Sequence, residues 1–272
     1  MADLLRRIYE RAALCRAFEE EVARRVEAKQ ISIPVYLSIG QEYAPATVST
    51  WLENRGVKDQ AVFIQHRGHS QYLCFGGDPR ALALELLGDA RGCAGGMGGS
   101  ASIHWPAARI FGHDGLMGTQ IPIAVGYCYA TRRPTVCFTG DAAAEEDYAL
   151  AAYGWAATHR LPILFVVEDN GLSILTKKSV RRSWDIDAVA RAFGLAAVEC
   201  SDEPQELIDG PLRLPWPALL NVRTTRLRWH SGAGLDDPQA FDRHARVAAS
   251  LPSEYVGATK CISEEITKTA WA

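Results

Sequence analysis

Apolar residues at Leu4, Ile8, Ala12, Cys15, Phe18, Val22 and Val26 recur every three or four positions, with charges between them, which predicts an amphipathic helix over about 3–29. A second helix is expected over Gln41–Glu53, then a short strand Ala61–Ile64 and a helix Pro79–Leu87 opened by its proline. Further on, compact apolar runs alternate with helical stretches: helix Ile121–Ala130, strand Thr135–Thr139, helix Glu145–His159 and strand Ile163–Val167. The pattern continues with helix Ile186–Phe193, strands Ala196–Cys200 and Ala218–Arg223, and a last helix from Gln239. Strands alternating with helices predict an α/β fold, a doubly wound, mostly parallel sheet with helices on both faces. No repeat or linker divides the chain, so one domain over 1–272 is expected, with a shortened C-terminal extension over 239–272.

Between these elements, Gly92–Ser100 holds five glycines and the irregular stretch runs on to about Gly118. A loop of that length is expected to be mobile or to be occupied by something. The chain has 272 residues, 48% hydrophobic and 22% charged, enough to bury a sizeable core. A net charge of −3 gives no broad attraction to nucleic acid or to an anionic membrane, and no segment has the roughly 18 uninterrupted apolar residues of a membrane span. Seven scattered cysteines without a Cys-x-x-Cys pair suggest buried thiols in a reducing compartment, and a cytoplasmic protein is expected.

Candidate chemistry concentrates at two predicted strand ends, Gly140-Asp141-Ala142 and Asp169-Asn170-Gly171, with Asp141 and Asn170 separated by 29 residues. A strand–helix–strand unit returns the chain so that both ends lie on one sheet edge, where open α/β sheets bind ligands. A carboxylate and an amide oxygen there suit Mg²⁺ or Ca²⁺, the former usually completed by phosphate ligands, and backbone N–H groups of Ala142 and Ala143 at a helix start can donate to a diphosphate. Taken alone, a Gly-Asp-x after a strand is more often a turn, and a glycine-rich segment more often a flexible loop. Arg67, just beyond a short strand, suits a forked grip on phosphate, while as a lone residue it reads equally well as a surface cation. Glu145 and Glu146 read as charge complements to a helix dipole, and Lys177-Lys178 with Arg181-Arg182 as a solvated basic loop or a partner contact.

The spacing Gly-Asp-x … Asn resembles the thiamine diphosphate signature of the α subunits of heterotetrameric 2-oxo acid dehydrogenases, the decarboxylating component of the pyruvate and branched-chain type, of which this would be a shortened member. Ala142 stands in place of the signature's third glycine, and Asp169 in place of its first asparagine. The resemblance extends to Gly40-Gln41-Glu42, His66-Arg67-Gly68-His69, Gly96-Met97-Gly98-Gly99-Ser100, Gly118-Thr119-Gln120-Ile121-Pro122 and Arg226-Leu227-Arg228-Trp229-His230-Ser231, followed by Asp236-Asp237.

The resemblance implies a thiamine-diphosphate-binding fold with thiamine diphosphate and Mg²⁺ as cofactors. The metal would be held by Asp141, Asn170 and the carbonyl of Leu172. The cofactor would be contacted by His66, Arg67, Gly115, Met117, Asp141, Ala142, Ala143, Asn170 and His230, with His230 and His69 as the candidate catalytic histidines. It further implies decarboxylation of a 2-oxo acid, with the acyl or aldehyde fragment passed to a lipoyl or other carrier. The partner would be a β subunit bearing the cofactor-activating glutamate, in an α₂β₂ assembly. A split transketolase-like or acyloin-forming subunit, and a non-catalytic scaffold of the same fold, are the alternatives.

Overall fold

A computed structural model describes residues 2–232 and 240–272. Its strands are β1 (Ala61–Phe63), β2 (Ile110–Phe111), β3 (Thr135–Gly140), β4 (Ile163–Asp169), β5 (Leu172–Ser173), β6 (Thr176–Lys177), β7 (Ala196–Ser201) and β8 (Ala218–Arg223). The helices are α1 (Ala2–Glu27), α2 (Tyr43–Asn54), α3 (His69–Cys74), α4 (Pro79–Leu86), α5 (Gln120–Thr131) and α6 (Asp147–Thr158). After them come α7 (Lys178–Arg181), α8 (Ile186–Phe193), α9 (Pro204–Asp209), α10 (Arg243–Ala248) and α11 (Ser253–Ala270). Six strands form one sheet in the order β2-β1-β3-β4-β8-β7, and every pairing in it is parallel. β5 and β6 form a separate antiparallel pair.

Both faces of the sheet are covered, as expected. Val136, Phe138, Leu164, Val166, Leu220 and Val222 point into a layer built from α1, α2, α3, α4 and α9. Their neighbours along the same strands, Cys137, Ile163, Phe165, Val167 and Leu219, point into a second layer built from α5, α6 and α8. The strand period of two thus divides one apolar run between two cores, which is why β3 and β4 read as continuous hydrophobic stretches. Each fully buried Val, Leu, Ile or Phe contributes about 1.5–3 kcal/mol. Tyr153 of α6 meets Phe165 edge-on at 4.8 Å between ring centres, fixing the crossover that separates β3 from β4.

The connection after β1 leaves through α3 and α4 on one face and returns to β2 on one side of β1, whereas α5 crosses the other face to reach β3 on the opposite side. The chain therefore diverges above the carboxyl ends of β1 and β3, opening the crevice that ligands of such sheets use.

Three expectations need correction. The glycine-rich segment is folded around a carboxylate of this same chain: Glu85, fully buried on α4, accepts hydrogen bonds from the amides of Ala94 (2.7 Å), Gly96 (2.8 Å), Gly98 (2.7 Å) and Gly99 (3.1 Å). A Cβ on Gly98 would stand 2.1 Å from the carbonyl of Ser102, so this wrap excludes side chains there. The stretch up to Gly118 also contains the edge strand β2, too short to show a period.

Secondly, the predicted helix from Glu145 is split into a 3₁₀ turn, Ala143–Glu145, and α6, which begins at Asp147 because Glu146 is extended (φ −63°, ψ 146°). Ala142 and Ala143 therefore stand at a single turn and not at the head of the long helix. Thirdly, the tail is two helices, not one: the side chain of Asp242 caps α10 by accepting from the amide of His244 at 2.9 Å, and Pro252 precedes α11. The predicted start at Gln239, like Asp236-Asp237, lies outside the described residues.

Replacing Glu85 by alanine leaves four half-buried amides without their acceptor, and each unmet buried donor costs about 1–3 kcal/mol. E85A is expected to lose more than about 3 kcal/mol in urea unfolding and to be cut by trypsin at Arg91 faster than the parent; unchanged stability and cleavage would show that the loop holds itself.

Candidate functional site

At the crevice between β1 and β3, extended by the end of β4, a cavity of about 290 Å³ is lined by residues from every neighbouring connection. The turn after β1 brings Gln65, His66 and Arg67; β3 ends in Gly140 and Asp141; Asn170 follows β4; and His230 reaches in from the segment after β8. Of the residues singled out from sequence, His66, Arg67, Met117, Asp141, Ala142, Ala143, Asn170, Leu172 and His230 all line this space. A larger surface depression of about 570 Å³ between α1, α2 and the Pro211–Arg213 turn, floored by Trp51 and Leu212, lies away from the strand ends and gathers no such set of polar groups.

Gly115 and His69 do not line the cavity. The Gly115 amide donates to Nδ1 of His113 at 2.9 Å, which shapes the loop before α5. His69 is fully buried at the start of α3, its Nε2 3.0 Å from Ser100 Oγ and its Nδ1 3.0 Å from Glu19 Oε1, the latter too poorly aligned for a hydrogen bond. Its contact with Ser100 ties α3 to the end of the glycine-rich loop, and its place away from the cavity gives the expected catalytic role no support.

Arg67 is buried, and its guanidinium donates to the carbonyl of Leu37 (2.6 Å) and to Nδ1 of His230 (3.0 Å). Because arginine has only donors, Nδ1 of His230 is the acceptor and that ring is neutral with its proton on Nε2. Burial, with Arg67 and Arg226 nearby, pulls His230 down to about 4. Burial first, then Arg67 and His230, holds His66 well below the usual range. The rings of His66 and His230 lie 5.7 Å apart, and both contact Tyr36 at 5.1 Å. One side of the cavity thus presents a guanidinium and two neutral imidazoles, a set that favours an anion.

The other side is acidic. Asp141 and Asp169 end adjacent strands, and burial, with Asp169 adding repulsion, pushes the Asp141 carboxyl up to about 6. Burial raises Asp169 as well, but hydrogen bonds from Lys178 and Asn221 prevail and hold it low. Lys178 Nζ stands 2.5 Å from Asp169 Oδ2, and Arg181 Nη2 2.5 Å from Asp141 Oδ2. Arg181 also pairs with Glu145, while Arg182 donates to the Asp141 carbonyl at 3.4 Å, lies 3.5 Å from Glu145 and stacks over Trp184 at 4.8 Å. The expected solvated basic loop is instead a strip of counter-charge over the strand ends, and Glu145 is held by it and not by a helix dipole. Beneath, Glu168 accepts from the side chains of Gln65 and Gln71, and burial pushes it up to about 8.

The residues present fit a magnesium diphosphate group. Hard oxygens are supplied by Asp141, the side chain of Asn170 and the carbonyl of Leu172, whose amide is turned toward the Asn170 oxygen at 3.1 Å. Among the buried side-chain atoms that lack a hydrogen-bond partner are Nε2 of His66, on the cavity wall, and Nε2 of Gln41, whose own oxygen accepts from Asn170 at 3.2 Å. Unmet buried donors beside a cavity are what a bound anion would satisfy. No cluster of three or more His, Cys, Asp or Glu side chains able to hold a metal occurs among the described residues.

Sequence reasoning missed Tyr36, Gln65 and Glu146, which also line the cavity. Gln65 adjoins the noted His66, but nothing local marks Tyr36, which is brought in by packing alone.

Residues 10–201 match the model of the family described as dehydrogenase E1 component. The pyruvate dehydrogenase E1 component subunit alpha of Rickettsia bellii is 29% identical over 244 residues, covering 84% of this chain and 72% of that protein. Its counterpart from Zymomonas mobilis is 28% identical over 249 residues, covering 86% and 68%. Among solved structures, transketolase from Campylobacter jejuni overlays 98% of this chain with a TM-score of 0.61 at 14% identity. This chain spans 47% of that one, and the likeness speaks for the fold alone. With the matched region running from α1 through β7 and embracing both strand ends of the site, the chain belongs to the dehydrogenase E1 component family.

Proposed function

We infer that this chain is the α subunit of a thiamine-diphosphate-dependent 2-oxo acid dehydrogenase, forming the diphosphate half of an active site that a β subunit completes. The observation that carries this reading is one cavity with Arg67, His66 and His230 on one wall and Asp141 and Asn170 on the other, in a member of this family. When bound, thiamine diphosphate would supply a nucleophilic carbon and an electron sink suited to 2-oxo acid decarboxylation. Mg²⁺ would be held by Asp141, Asn170 and the Leu172 carbonyl. The diphosphate would lie against Arg67 and His66, with the Ala142 and Ala143 turn approaching from below.

His230, neutral and fixed by Arg67, offers an Nε2 proton toward the cavity, where it can donate a hydrogen bond to an anionic oxygen. Met117, Leu172 and Ile174 give the cavity apolar contacts. The whole chain acts as one diphosphate-half domain, and the cofactor's ring is met by a glutamate of the β subunit in an α₂β₂ assembly that passes the acyl group to a carrier. No helix of the described residues is long and apolar enough to cross a membrane.

Titration of the co-purified assembly with thiamine diphosphate and Mg²⁺ by calorimetry is expected to show saturable binding that EDTA removes and that Asp141→Ala abolishes. A well-formed assembly that takes up no cofactor would overturn the reading. A second expectation concerns pH. The folded-state value of His230, about 4, is depressed below the usual 6.5, so its contribution to stability is complete above pH 6.5 and is lost as pH falls toward 4. His230→Asn should therefore flatten the fall in urea midpoint between pH 6.5 and 4.5; an unchanged slope would mean that His230 takes up its proton in the folded chain.

A further inference from the structure

α7 places three cations over the strand ends, and they are not equivalent. Lys178 is committed to Asp169, and Arg182 is wedged against Trp184 with its guanidinium toward Glu145 and the Asp141 carbonyl. Arg181 alone reaches the Asp141 carboxylate oxygen, at 2.5 Å, and its other terminal nitrogen pairs with Glu145. Its Nε is buried with no hydrogen-bond partner, so the guanidinium is held by its tip and incompletely satisfied.

We propose that Arg181 is an internal stand-in for the divalent cation, a latch that occupies the Asp141 carboxylate until metal and diphosphate displace it. This rests on the cofactor reading above. The reason is the cost of burying two like charges: Asp141, 2% exposed at its side chain, adjoins Asp169 and needs a cation beside it whether or not a metal is present. Arg181 meets that need in the free chain. When a divalent ion takes Asp141, the guanidinium can remain with Glu145, so only a side chain has to move while Lys178 and Arg182 keep α7 docked. Glu145 thus serves as the receiving site, which gives a purpose to an acidic residue next to a diphosphate-binding turn. Metal affinity is then lowered by the competition, and the site does not stand open to any passing dication.

The test is Mn²⁺ binding to the full chain in its assembly with thiamine diphosphate present, read from the electron paramagnetic resonance signal of free Mn²⁺, with no turnover involved. Arg181→Met is expected to tighten Mn²⁺ binding about tenfold, a change of roughly 1.4 kcal/mol, and Arg181→Lys to fall between it and the parent. Lys178→Met, which frees Asp169 instead, is expected to leave affinity within about twofold of the parent, and Asp141→Asn to abolish binding. Thermal melts of each variant identify any that fail to fold, and Arg181→Lys, which keeps the charge, then carries the comparison. Equal or weaker binding in Arg181→Met and Arg181→Lys, with Asp141→Asn still silent, overturns the latch and leaves the cofactor reading standing. Equal tightening in Lys178→Met also overturns it, since the effect would then be bulk charge. Absence of binding in parent and variants alike removes the cofactor reading and the latch together.

Discussion

Two carboxylates buried side by side at the ends of β3 and β4 are the constraint around which this molecule is arranged. Asp141 and Asp169 cannot both be ionised in an apolar sheet edge without cations, and the chain supplies them from the short helix α7 that follows β4 and the β5–β6 pair. That requirement accounts for the β5–β6 hairpin, which turns the chain back over its own strand end. It also accounts for the split at the start of α6, because Glu145 is drawn toward Arg181 and Arg182 while Glu146 is left extended.

The opposite wall is governed by one buried arginine. Among the described residues Arg67 donates to a carbonyl and an imidazole, and burial together with Arg226 brings it down to about 10. It remains a cation at neutral pH, and it keeps His66 and His230 neutral. The cavity is therefore polarised across its width, positive toward β1 and negative toward β4, which suits a ligand made of an anion and a dication in contact.

The doubly wound architecture was legible because β3, β4 and β8 each bury both faces and sit between helices of clear period. The meeting of Asp141 and Asn170 at one cavity was legible for the same reason, since strand ends in a parallel sheet share an edge. What escaped was of another kind. β2 and the β5–β6 hairpin are two residues per strand, too short for any period. The pairing of Arg181 with Asp141 joins residues 40 positions apart through a turn whose course depends on tertiary contact. His69 looked reactive beside Arg67 because adjacency in sequence says nothing about direction; the start of α3 turns its ring away, into the layer behind.

Glu85 offers a last consequence. A loop rich in glycine, with amides converging on one point, is the usual description of a cradle for an external anion, and here the anion is part of the chain. Its electrostatic appetite is therefore met from within, so the loop adds little positive potential to the neighbouring cavity. Attraction of a negatively charged ligand to that cavity then falls to the wall that carries Arg67.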